Sequence, residues 1–196
     1  MSVTVITTLL GMGRWEPDAR GRMIRAAVEL YAERGFEQTT AGDIAEAAGV
    51  TERTFFRHFA DKREVLFDGS EDMQHAVREA ILAAAPEAPP LDAAIAGMVA
   101  ATVMLDARRD HAVRRARIVE ANPAVREREL LKLAAMVGVT TDALHIRGVT
   151  EPAASLAAHS AVSVFQVGFT RWVTEDDAPG FVACIADAAV ALRALR

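Results

Sequence analysis

The sequence predicts an all-α fold, and two observations carry that reading. Apolar residues recur at three- and four-residue steps almost continuously from Arg20 onward, and β-branched residues rarely alternate with polar ones, so strand patterns are nearly absent. Breaks at Gly35, Gly49, Pro86 to Pro90, Arg108 to Asp110, Asn122-Pro123, Gly148 to Pro152 and Asp176 to Gly180 cut the chain into eight or nine helices. The 196 residues, 52% hydrophobic, suffice to bury a core in one ordinary domain or two small ones. No fixed-period repeat or low-complexity linker occurs, so a continuous helix is expected to join the two parts described below.

The first helix is expected over Pro17 to Arg34, with Met23, Ile24, Ala27, Val28, Leu30 and Tyr31 on one face and Gly35 ending it. A threonine of Thr39-Thr40 caps a short second helix whose apolar face is Ile44, Ala45 and Ala48. Gly49 supplies a turn, and Thr51 caps a third helix that places Phe55 and Phe59 inward. Two short helices meeting at a glycine turn make a helix-turn-helix.

The outward face of the third helix suits a major groove. Arginine can fork onto guanine O6 and N7, and a threonine methyl can meet a thymine methyl, which makes Arg53, Thr54 and Arg57 candidate base readers. Thr39, Thr40, His58 and Lys62 flank it as candidate phosphate donors. Each also has a plainer reading: Arg53 and Arg57 fit a solvated helix face, His58 fits a helix C-terminal end, and Glu52 fits a first-turn dipole partner.

Composition narrows the function classes. A net charge of -5 excludes nucleic-acid binding by bulk charge, so any DNA contact must be local. The lone cysteine, Cys184, makes neither an internal disulfide nor a cysteine-based zinc site. The five histidines form no zinc pair, no nucleophile elbow or phosphate-binding loop is present, and Gly11-Met12-Gly13 is a fragment of a dinucleotide fingerprint. The chain reads as a non-enzyme with no cofactor. No stretch has the ~18 to 20 apolar residues of a membrane span, and a cytoplasmic protein without membrane contact is expected.

Thr39-Thr40, Ile44-Ala45, Ala48-Gly49-Val50-Thr51, Thr54-Phe55-Phe56-Arg57-His58-Phe59, Asp61-Lys62 and Leu66 together resemble the DNA-binding domain of the tetracycline-repressor (TetR) family. The resemblance implies a three-helix head, a larger ligand-binding body, and a homodimer that represses transcription until a small-molecule effector releases it from a double-stranded operator. It implies backbone phosphate contacts at Thr40, Phe56, His58 and Lys62. Phe56 departs from the family's usual tyrosine and has no hydroxyl to donate, although its ring can pack on sugar or a thymine methyl. The expected organisation is a flexible tail over 1–14, the helix-turn-helix domain over 15–60 and the ligand-binding and dimerisation domain over 61–196.

Within the body, Asp61 is expected to cap a helix running to about Ala85, followed by helices at Leu91 to Ala107, Asp110 to Glu120 and from Asn122-Pro123. The resemblance marks Met73, Val77, Met98, Thr102, Met104, Ile118, Phe165 and Phe169 as candidate ligand-pocket residues, although such side chains can equally fill a core. The run from Arg114 to Arg126 and Arg171-Trp172-Val173 look like a subgroup that binds fatty acyl-CoA, and an apolar channel with arginines at its mouth suits such an amphiphile. The last two helices, Pro152 to Val173 and Pro179 to Leu195, are apolar nearly all round. They are expected to pair with their copies in a four-helix dimer interface, with Ala157, Ala161 and Gly168 allowing close approach. The alternative function is a dimeric small-molecule binder whose head no longer reads DNA.

Overall fold

The computed structural model describes residues 18–106 and 108–195, so the expected tail at 1–14 lies outside the described residues. These fold as α1 (Ala19–Arg34), α2 (Ala41–Ala47), α3 (Glu52–His58), a 3-10 turn (Glu64–Phe67), α4 (Ser70–Ala83), α5 (Pro90–Asp106), α6 (Arg109–Ala121), α7 (Pro123–Ile146), α8 (Ala153–Thr174) and α9 (Phe181–Ala194). The fold is all-α, and its short elements depend on their ends. Thr40 caps α2 by accepting from the Asp43 N–H while the Asp43 carboxylate accepts from the Thr40 N–H, and Pro123 starts α7 where its missing N–H costs nothing.

Two apolar cores result. The first gathers Met23, Ala27 and Tyr31 of α1, Ile44 and Ala45 of α2, and Phe55 and Phe59 of α3 and its end. Val65, Leu66 and Phe67 belong to the same core, so the head's packing runs past the expected boundary at residue 60. Ile118, Val119 and Val125 reach it from α6 and α7 and tie head to body. The second core lies among α4, α5, α7, α8 and α9, around Val77, Ile81, Met98, Leu144, Trp172 and Ile185. Trp172 stacks on Phe181 with ring centroids 4.8 Å apart.

The continuous helix expected from Asp61 to Ala85 does not form. Asp61 does cap, accepting from the N–H groups of Arg63 at 2.7 Å and Glu64 at 3.3 Å, but what it caps is the 3-10 turn. Three consecutive buried residues, Val65, Leu66 and Phe67, explain this: an α-helix would fan them over some 200° of its circumference, away from one core. Gly69, at φ 79°, then turns the chain in a left-handed conformation that favours glycine, and α4 begins in a new direction.

On α8 the small residues serve the chain itself. A Cβ on Gly168 would sit 3.0 Å from the Ile185 nitrogen, so this glycine lets α8 and α9 of one protomer cross closely. Phe181 is likewise wholly buried. What α8 and α9 leave exposed is Leu156, Val167, Val182 and Val190.

Candidate DNA interface and effector cavity

The helix-turn-helix is locked from several sides. Gly49 has φ 66°, Val50 N–H donates to the Ala45 carbonyl at 2.9 Å, and Arg22 Nε reaches the Ala48 carbonyl at 2.9 Å, so α1 holds the turn between α2 and α3. Thr51 Oγ1 accepts from the Thr54 N–H at 3.2 Å and starts α3. Phe55 is fully buried and Phe59 nearly so, their ring centroids 5.4 Å apart, which sets the rotation of α3 about its axis.

That rotation leaves Arg53, Phe56 and Arg57 exposed at the i, i+3, i+4 spacing of one face. Phe56 is 53% exposed, and its ring meets Phe55 edge-on at 5.4 Å, a fixed apolar surface between two arginines. Thr54 and His58 are half-buried beside this face, with the Thr54 and Thr51 hydroxyls 3.0 Å apart. Thr40 is exposed, its hydroxyl engaged with Asp43 at 2.7 Å. The Thr40 hydroxyl and N–H hold the Asp43 carboxyl below its usual range.

Two expected phosphate donors are turned inward. Thr39 is fully buried and its hydroxyl donates to the Gly35 carbonyl at 2.9 Å, which removes it from any DNA surface. The Lys62 ammonium donates to the carbonyls of Phe36 at 2.8 Å and Thr39 at 2.9 Å and lies 4.3 Å from the centre of the Phe36 ring. It closes the loop between α1 and α2 instead of projecting toward a phosphate. The Tyr31 hydroxyl in turn donates to the Lys62 carbonyl at 2.6 Å, and burial, with Asp61 nearby, raises its pKa above the usual phenol range. An inward lysine and an outward one look alike in sequence, because only the position of the loop carbonyls distinguishes them.

Where head meets body there is a cavity of about 380 Å³. Met73, Leu105, Leu133, Met136, Phe165 and Phe169 form its apolar wall, the segment from Val65 to Ser70 its floor, and Arg108, His111, Arg115, Glu129 and Lys132 its polar end. A second hollow of about 450 Å³ between α1 and α6 shares Ile24, Asp68, Arg108 and His111 with it. Burial, and then Arg115, Arg108 and Arg114, lower the His111 pKa.

Of the candidate pocket residues, Met73, Phe165 and Phe169 line this cavity. Val77, Met98 and Thr102 do not: they are sealed in the body core, with the Thr102 hydroxyl donating to the Val99 carbonyl at 2.8 Å. The reason is the closeness of α4 and α5, where a Cβ on Gly97 would come within 2.9 Å of Ile81 Cγ1, leaving no hollow between them. Ile118 packs into the head core, and the Met104 side chain lies outside the described residues. The sequence reading missed Arg115, Glu129 and Lys132 as cavity residues. The spacing of Glu129, Lys132, Leu133 and Met136 puts them on one face of α7, which is the signal that could have found the latter two.

Residues 23–68 match the family of bacterial regulatory proteins, tetR family. The regulator TcmR of Streptomyces glaucescens is 49% identical over 65 residues, 33% of this chain and 27% of TcmR. The transcriptional repressor KstR2 of Mycobacterium tuberculosis is 40% identical over 47 residues, 24% of each chain. The match thus spans about a quarter of the length of these relatives. The crystal structure of Thermus thermophilus FadR, a TetR-family transcriptional repressor in complex with lauroyl-CoA, is similar in fold over 89% of this chain and 93% of that one, with a TM-score of 0.54 and 22% identity. The chain therefore carries the DNA-binding head of a TetR-family transcriptional regulator on an all-helical body. Among the described residues no helix is long and apolar enough to cross a membrane.

Proposed function

We propose that the protein is a homodimeric repressor that binds a specific operator through α3 and leaves it when an amphiphile with an anionic end fills the cavity between head and body. The observation that carries the reading is the exposed Arg53, Phe56, Arg57 face on a helix whose orientation is set by buried Phe55 and Phe59. Arg53 and Arg57 suit base edges, Phe56 suits a thymine methyl or sugar, and Thr40, Thr54 and His58 border them. The effector reading is supported by an apolar wall facing a cluster of Arg108, Arg115 and Lys132, a combination that suits an acyl chain ending in carboxylate or phosphate, fatty acyl-CoA among them. The uncharged exposed residues of α8 and α9 support pairing of two copies, which would set two α3 helices against successive major grooves. The protein then acts where the chromosome is, in the cytoplasm.

The test is binding to a labelled duplex from the region upstream of its own gene against a scrambled duplex across a salt series. A preference of roughly ten-fold or more at physiological salt is expected; equal binding that salt erases from both would favour a ligand-binding dimer with a silent head. Arg57→Glu should abolish the preference without changing the mass in light scattering. Val167→Glu with Val190→Glu should halve that mass, and an unchanged dimer would overturn the proposed interface.

A further inference from the structure

The floor of the cavity is also the joint between head and body, and one cavity residue holds that joint at two points. Arg115 of α6 donates from Nε to the Leu66 carbonyl at 2.6 Å, and its guanidinium carbon lies 4.9 Å from the centre of the Phe67 ring. The rest of its fork is held by the Glu129 carboxylate of α7, which NH1 reaches at 3.4 Å and NH2 more closely. The same 3-10 turn is tied to α7 a second time, where Glu64 pairs with Arg128 and with Lys132 at 3.4 Å. Arg115, Glu129 and Lys132 all face the cavity, and Gly69 follows the turn as a hinge before α4.

We propose that Arg115 is the latch through which the effector is sensed: an anionic group entering the cavity takes the Arg115 guanidinium from Glu129 and the Leu66 carbonyl, and so frees the 3-10 turn that positions the head. A carboxylate or phosphate competes for that fork on equal chemical terms, because bidentate pairing with guanidinium is what Glu129 already supplies. The displaced Glu129 side chain is one quarter exposed and can turn to water, so the exchange strands no buried charge. Loss of the Leu66 contact acts directly on the head core, since Leu66 and Phe67 are buried in it. The coupling is then local, a single side chain touching effector on one side and joint on the other. This rests on the cavity being the effector site, but not on the identity of the operator.

The test reads the joint without DNA. In hydrogen exchange on the full chain, Arg115→Met should speed exchange of the 63–70 amides at least five-fold while leaving 51–59 protected, and Glu129→Gln should do so less. Unaltered protection of 63–70 in Arg115→Met overturns the latch. With dodecanoate as probe and dodecanol as its uncharged counterpart, dodecanoate should deprotect 63–70 in the parent protein and dodecanol should not. Arg115→Met should bind dodecanoate roughly ten-fold more weakly with dodecanol affinity unchanged, as expected for loss of one charge-assisted pair. Equal responses to the two probes, or no response of the parent to dodecanoate, overturn the anionic trigger. Failure of operator preference with these exchange results intact would overturn the DNA-binding reading and leave the latch standing.

Discussion

Head and body are both helical, yet they are held by different means. The head's α2 and α3 have seven residues each, too few to be stable alone, and are fixed by caps, a left-handed glycine and two buried phenylalanines. The body's helices run from 13 to 24 residues, and side-chain volume along their contacts decides how they lie. Local chemistry places the recognition face; shape places the cavity.

The largest way to break this contrast is Phe55→Ala. Removing a fully buried ring should cost about 3 to 5 kcal/mol, with residues 41–59 losing hydrogen-exchange protection before α8 and α9 do; simultaneous loss would show that the head has no stability of its own. Next comes Gly97→Val in the body. Its Cβ would meet Ile81 and Val77 at about 3 Å, and overpacking of this kind costs about 1 to 3 kcal/mol. A lower urea midpoint with unchanged exchange of 51–59 is the expected result. Thr40→Ala removes the capping box of α2 and should cost about 1 kcal/mol, read as faster exchange across 41–47.

The smallest effect concerns the joint. Its pairing with Arg128 first, and Lys132 after burial, holds the Glu64 carboxyl below its usual range. The unfolded chain therefore takes up a proton on this group at higher pH than the folded one. Its contribution is present above the ordinary carboxylate range and is lost as pH falls through the depressed folded value. The group is partly exposed, so the amount is under about 1 kcal/mol. Glu64→Gln should accordingly destabilise slightly at pH 7, and its urea midpoint should converge on that of the parent toward pH 3.

Most of the head was legible in the sequence because its decisive residues act on near neighbours: Thr40 on Asp43, Thr51 on Thr54, Gly49 on the turn beside it. The inward orientation of Lys62 and Thr39 was not legible. Lys62 reaches carbonyls 23 and 26 residues away, and no local pattern records where they lie. In the body, a Met, Leu and Phe periodicity marks buried faces but does not distinguish a packed face from one lining a hollow. Met73 and Met98 are alike as sequence, yet one lines the cavity and the other is sealed beneath it.

By itself the sequence determined the helical class, the caps and breaks, and the face that α3 turns outward, since period, capping and turn chemistry are short-range and written in residue type. The tertiary structure decided the broken joint at Gly69, the position of the cavity and the company of Arg115. Those depend on how closely long helices approach, and that distance is set by the summed volumes of side chains distant in sequence.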